Sequence, residues 1–178
     1  MRRFLVIVTL STALAAPAFA APASRDTVLA NLEAREIQPM SADDWKRLGD
    51  GVETLLDQAF RDRSLLLAHR ARALGALAKV GGPRAERTLS EVLGDRKAQP
   101  ALLAVAIEAY AAHFGAAHPA AALTRGKSLL AHEDWLVRRA AARALGRLRT
   151  EEARSALEAR RPTERHGAVK AAIDEALR

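Results

Sequence analysis

Residues 70–89, RARALGALAKVGGPRAERTL, and residues 138–157, RRAAARALGRLRTEEARSAL, decide the fold between them. At a shift of 68 residues Arg70 meets Arg138, Ala73 meets Ala141, and Ala76-Leu77 meets Ala144-Leu145. Val80 then meets Leu148, Ala85 meets Ala153, and Leu89 meets Leu157. The shared positions are mostly apolar and fall three or four apart, so one helix face recurs. Half the shift is 34 residues, and a fainter copy stands near that midpoint. There Leu103, Ala106, Ala109 and Tyr110 keep the spacing of the first helix, and Leu129-Leu130 echoes Val92-Leu93. A last partial copy sets Val169-Lys170 against Val137-Arg138, Ile173 against Ala141, and Ala176-Leu177 against Ala144-Leu145. A period of this length, holding two helices and a turn, is the signature of an α-solenoid.

The turn residues fall where that division needs them. Gly81-Gly82-Pro83 ends one helix and opens the next, since glycine suits the left-handed stop and proline the first turn. Residues 115–119, from Gly115 to Pro119, do the same in the second unit. Asp95 and Asp134 stand between units, where a carboxylate caps a helix start. Pro162 predicts a short second helix in the third unit. Upstream, Ser41-Ala42-Asp43-Asp44-Trp45 reads as a cap and a short helix, and Gly49 and Gly51 break the chain before a helical run over 52–60. An earlier helix is expected over 26–35. These pieces predict an irregular helical cap, with Trp45 covering the open apolar end of the stack.

Composition agrees with an all-helical reading. Ala, Leu and Arg dominate, all good helix formers, and aromatics make up 4% of the 178 residues. Small side chains must then supply the packing. Hydrophobic residues reach 49%, too many for a chain that stays disordered.

The first twenty residues read as an export signal. Arg2 and Arg3 precede an apolar stretch over 4–16, and Ala18-Phe19-Ala20 gives the small-x-small pattern before a cut between Ala20 and Ala21. The stretch is too short for a stable membrane span. The chain has no cysteine, which excludes a lipid-anchored lipoprotein, disulfides, a cysteine nucleophile and a thiolate metal site. Removing residues 1–20 takes away two arginines and no acid, so the net charge falls from +7 to +5. The expected location is secreted or periplasmic. Membrane contact is expected only through the transient signal peptide, and nucleic acid is not an expected partner.

Residues 137–146, VRRAAARALG, following the loop residue Asp134, resemble the first helix of HEAT-like repeats, the type also found in phycobilisome-lyase-like proteins. The resemblance extends over roughly 52–178 and is strongest in the third copy. It implies a right-handed α-solenoid of about three and a half helical hairpins. The expected organisation is a signal peptide over 1–20, a helical cap over 21–60 and repeats over 61–178, divided at about 61–95, 96–133, 134–166 and a partial 167–178. The resemblance implies a scaffold or partner-binding module; without cysteine, no lyase activity carries over.

No catalytic pattern appears: neither GxSxG, nor a glycine-rich phosphate loop, nor a serine–histidine–aspartate set. Asp43-Asp44 and Glu151-Glu152 read as charges at helix starts, favoured by the macrodipole. His69, His113, His118, His132 and His166 lack the spacing of a helical zinc site. The reading is therefore of a protein that is not an enzyme and takes no cofactor or metal.

Candidate binding residues remain. Arg139, Arg143 and Arg147, at i, i+4 and i+8, form a basic stripe along one helix face, with Arg147 placed to reach Glu151. Trp135 beside Arg138 and Arg139 makes a potential hot spot, since Trp and Arg concentrate binding energy at interfaces. The second helices would line a groove, with Thr88, Glu91, Thr124, Lys127, Arg154 and Glu158 facing it. The expected partner is an unidentified protein, acidic where it meets the arginines, and the chain is expected to be a monomer. Two other classes fit the same residues: an envelope-surface binder of anionic polymer or lipid, and an accessory factor of an enzyme or export complex.

Overall fold

A computed structural model describes residues 21–34 and 40–178. The export signal lies outside the described residues, and of the expected cut site only Ala21 falls within them. The described residues form ten helices. Two short ones, α1 (Arg25–Glu33) and α2 (Ala42–Lys46), come first. Eight more then alternate between two layers. One layer holds α4 (Leu67–Val80), α6 (Pro100–His113), α8 (Trp135–Leu148) and α10 (Gly167–Ala176). The other holds α3 (Val52–Arg61), α5 (Gly82–Gly94), α7 (Pro119–Leu129) and α9 (Glu151–Arg160). In the first layer α4 packs on α6, α6 on α8 and α8 on α10. The result is an all-α HEAT-type solenoid, as the repeat period predicts.

Small residues set the spacing within the first layer. Ala104, Ile107 and Ala111 of α6 meet Ala140 and Ala144 of α8. On the other side of α8, Gly146 lies so close to α10 that a Cβ there would stand 2.5 Å from the Ala176 Cβ and 3.0 Å from its Cα. Between layers, Gly126 of α7 leaves room for Leu145, whose Cδ2 would lie 2.7 Å from an added Cβ. The recurring leucines seen in the sequence, Leu77, Leu89, Leu145 and Leu157, are all buried, each contributing about 1.5–3 kcal/mol of apolar transfer free energy.

The second layer is held partly by polar contacts. Asp57 of α3, nearly buried, accepts from Arg61 Nε at 3.0 Å and from the Thr88 hydroxyl of α5 at 2.9 Å. Arg61 also reaches Glu91 at 2.7 Å. The backbones of α5 and α7 stand further apart. Arg125 spans them, donating to Ser90 Oγ at 3.1 Å while its guanidinium lies 4.4 Å from the centre of the Tyr110 ring. His118 closes the same gap on Glu86 at 3.0 Å.

The N-terminal helices cover α4. Trp45 is buried against the stack, and α2 starts with a capping box between Ser41 and Asp44. Arg72 of α4 donates to the carbonyls of Leu32 and Ala34 at the end of α1, and Lys79 donates to Met40. Cations on terminal helix carbonyls satisfy groups that have no partner within their own helix.

Several sequence expectations need correction. Asp95 does not cap a helix start: it follows α5 and accepts from the Lys97 amide at 2.8 Å, while α6 opens on Gln99 and Pro100. The chain makes an Asx turn there instead. Thr88 does not face a groove; it is 1% exposed, because Asp57 draws its hydroxyl inward. Arg147 makes no ion pair with Glu151, because α8 ends at Leu148 and the two residues lie on different helices. Helix α3 packs against α4 and α5. Asp134 does cap α8, accepting from the Leu136 amide at 2.7 Å, and α9 ends at Arg160 just before Pro162.

Candidate functional site

Helix α8 carries the candidate residues, and its periodicity decides which of them reach solvent. Val137, Ala140, Ala141, Ala144 and Leu145 turn inward. Trp135, Arg139, Arg143 and Arg147 recur every four residues on the opposite side. Trp135 is 39% exposed, one of three large apolar side chains so placed among the described residues. The His166 ring stacks on its indole, centroids 4.4 Å apart and planes 7° from parallel. The Arg139 guanidinium carbon sits 5.3 Å from the centre of the same ring, within reach of a cation–π attraction. Two polar atoms of this cluster, Arg139 Nε and His166 Nδ1, are buried without a hydrogen-bond partner.

Arg138 is adjacent in sequence and elsewhere in space. One residue on turns the side chain about 100° around a helix, which points Arg138 towards the α9–α10 connection. Its Nε and Nη2 donate to the Glu164 carboxylate at 2.8 and 3.0 Å, and Nη1 donates to the carbonyls of His132 and Glu133. Glu164, 2% exposed, also accepts from Arg160 and from the amides of Arg165 and His166. These donors, Arg138 foremost, hold its carboxyl far below the usual range against the opposing effect of burial. Arg138 thus serves the junction between the last two helices, and none of its charge is offered to a partner.

The stripe leads into a cleft. Arg143 faces Glu108 of α6 at 3.7 Å with both side chains partly exposed. Arg147 has no carboxylate partner among the described residues. Beyond the end of α8, Arg143 and Arg147 join Arg149, Arg154 and Arg178 around an open cleft of about 1220 Å³. Ala112, Leu148 and Leu177 contribute to its apolar wall. The remaining candidates lie on the other layer. Thr124 and Lys127 are exposed on α7, with the Thr124 hydroxyl donating to the Ala120 carbonyl of its own helix. Arg154 pairs with Glu158 one turn on at 3.0 Å and still reaches the cleft. The sequence candidates therefore divide among the outer face of α8, the cleft, a buried junction and the exposed side of α7.

Three features of this region had no helical signal in the sequence. Arg149 sits in a turn and Arg178 beyond the last helix, so neither belongs to a periodic face. Glu164 lies in the loop before α10, and only its position two residues ahead of the His166 cap hints at a helix-start carboxylate. Among the described residues no cluster of three His, Asp or Glu side chains is arranged to hold a metal, and no helix is long and apolar enough to cross a membrane.

The fold and the exposed arginine face together define a helical-repeat protein. The sequence pattern of HEAT repeats matches residues 96–178, which span α6 to α10. Over that stretch the chain is similar to HEAT repeats. No curated protein matches the chain. HEAT repeats generally mediate protein–protein interaction or scaffolding, and the family is typically non-enzymatic.

Proposed function

We propose that this protein is a non-enzymatic scaffold that docks a partner protein outside the cytoplasm through the outer face of α8. The observation that carries this reading is the pairing of Trp135, 39% exposed, with the Arg139 guanidinium over its ring. An exposed Trp whose orientation is already set by His166 and Arg139 loses little side-chain entropy on binding, and Trp with Arg is the usual composition of an interface hot spot. Arg143 and Arg147 extend the face with positive charge, which fits an acidic partner. The proposed location rests on residues 1–20, whose two arginines, apolar run and Ala18-Phe19-Ala20 read as an export signal. Likeness to the repeats of phycobilisome-lyase-like proteins enters this reading only as a repeat type.

The test is cross-linking of the tagged protein in intact cells, followed by purification and mass spectrometry. A variant with Arg139, Arg143 and Arg147 all changed to Glu is run in parallel. One dominant stoichiometric partner, lost in the variant, is the expected result; if it is an enzyme or export component, the scaffold is an accessory factor. Recovery spread over envelope polymer or lipid, with no single protein, overturns the reading.

A further inference from the structure

We infer that the arginine-rimmed cleft at the end of α8 binds a chain segment in which carboxylates alternate with aliphatic side chains; the inference rests on the scaffold reading and names the partner's chemistry. Five arginines, Arg143, Arg147, Arg149, Arg154 and Arg178, stand against three glutamates, Glu108, Glu151 and Glu175. Arg147, Arg149 and Arg178 have no ion-pair partner among the described residues, while Arg143 and Arg154 hold exposed, solvent-screened pairs that a ligand carboxylate can replace. The lining thus has an excess of guanidinium groups suited to bidentate carboxylate recognition.

The backbone supports the same assignment. Arg149 adopts φ 50 and ψ 35, and among the described residues it is the only one other than glycine at positive φ. In the first repeat the matching position, 68 residues earlier, is Gly81, also at positive φ (83) but with ψ −160, so the two turns share only the sign of φ. Glycine takes a left-handed conformation without the Cβ penalty that arginine carries. Arginine stands where the turn favours glycine, and the left-handed bend places Arg149 on the cleft wall. A strained residue that the turn itself does not require is a pointer to function.

Shape and sign select the occupant. A lipid headgroup plane is flat and cannot follow a recess between helix ends. A uniformly anionic polymer meets Glu108, Glu151 and Glu175 as well as the arginines, and like charges repel it. A segment with spaced carboxylates sets them on the arginines, and its aliphatic side chains fall on Ala112, Leu148 and Leu177.

Fluorescence anisotropy with the purified protein tests this. The probe is a short fluorescein-labelled peptide repeating Glu-Leu-Ser, compared with Lys-Leu-Ser and Glu-Ser-Ser repeats, polyglutamate, and vesicles of phosphatidylglycerol. The Glu-Leu-Ser peptide is expected to bind about tenfold or more tightly than every comparison ligand, and to weaken as salt rises. Arg147→Gln with Arg154→Gln should reduce its affinity about tenfold. Arg149→Gly should reduce it severalfold while raising Tm by roughly 2 °C, because the turn strain is relieved. That opposite pair of changes separates a binding role from a structural one. Equal binding of Lys-Leu-Ser, tighter binding of polyglutamate or vesicles, unchanged affinity in the variants, or no binding overturns the inference. The scaffold reading has its own readout: a partner captured in cells and lost on reversal of Arg139, Arg143 and Arg147 keeps it standing even if the peptide fails to bind.

Discussion

The Arg138 guanidinium grips the Glu164 carboxylate through two hydrogen bonds, of 2.8 and 3.0 Å, across 26 residues of sequence, and both side chains are withdrawn from solvent. This contact fastens α8 to the loop that starts α10. The same carboxylate receives the amides of Arg165 and His166, so one side chain pairs with two arginines and fixes the turn that leads into α10.

Breaking that pair from either side should be costly. Arg138→Ala leaves a buried carboxylate with one fewer cation, a loss of about 3–5 kcal/mol for a broken buried pair. Urea unfolding of Arg138→Ala, Glu164→Gln and the double variant measures it. The double variant should lose less than the sum of the two singles; additive losses would mean the two residues act independently.

Acid should reveal the same group. Because the folded-state pKa of Glu164 is depressed, the stabilisation is fully present above the ordinary carboxyl pKa. As pH falls below about 4.5 it is progressively lost, and the loss continues down to the depressed folded value. Tm measured from pH 7 to pH 3 should fall more steeply for the native chain than for Glu164→Gln. Parallel curves would show that other carboxylates dominate acid unfolding.

Gly146→Ala tests the contact between α8 and α10. Its new Cβ would meet the Ala176 Cβ at 2.5 Å and backbone Cα at 3.0 Å, so a helix must move, at a cost of about 1–3 kcal/mol. Gly126→Ala should cost less, since its close contacts, Leu145 Cδ2 at 2.7 Å and Cγ at 2.9 Å, are side chain alone and include no backbone atom. Thermal unfolding of the two variants gives the order, and a reversed order would contradict the packing described.

Trp135→Ala and Arg139→Ala should leave the fold nearly intact, within about 1 kcal/mol, as partly exposed positions do. The readouts are unfolding free energy and steady-state fluorescence. Acrylamide should quench Trp135 readily and Trp45 hardly at all, since Trp45 is buried and Trp135 is not. Equal quenching of both would place Trp135 inside the stack.

Much of this architecture is legible in the sequence because repetition exposes it. The match of Ala76-Leu77 with Ala144-Leu145 and of Leu89 with Leu157 marks the same inward face twice, and all six residues are buried. Gly81-Gly82-Pro83, Ser41 and Asp134 act locally, through φ and a neighbouring amide, so their roles follow from spacing alone. Asp95 misleads for the same reason: an aspartate between helices suits an Asx turn as well as a cap, and the next few backbone angles choose. Arg138 and Arg139 look equivalent as neighbours in a basic run. Only the angle between them on α8, and the position of Glu164, separates a junction residue from one that packs over Trp135.

The sequence by itself determined an all-helical repeat, its period, its inward-facing leucines and most of its turns, because these depend on interactions within a few residues. Tertiary structure decided which charges are spent and which are offered. Thr88 and Asp57, Arg125 and Ser90, and Arg138 and Glu164 find each other only when separate helices and their connections are packed together. The cleft around Arg149 likewise exists only where the ends of α6, α8 and α10 meet the start of α9. Electrostatic partners act through space, and no periodicity along the chain encodes a contact between residues dozens of positions apart.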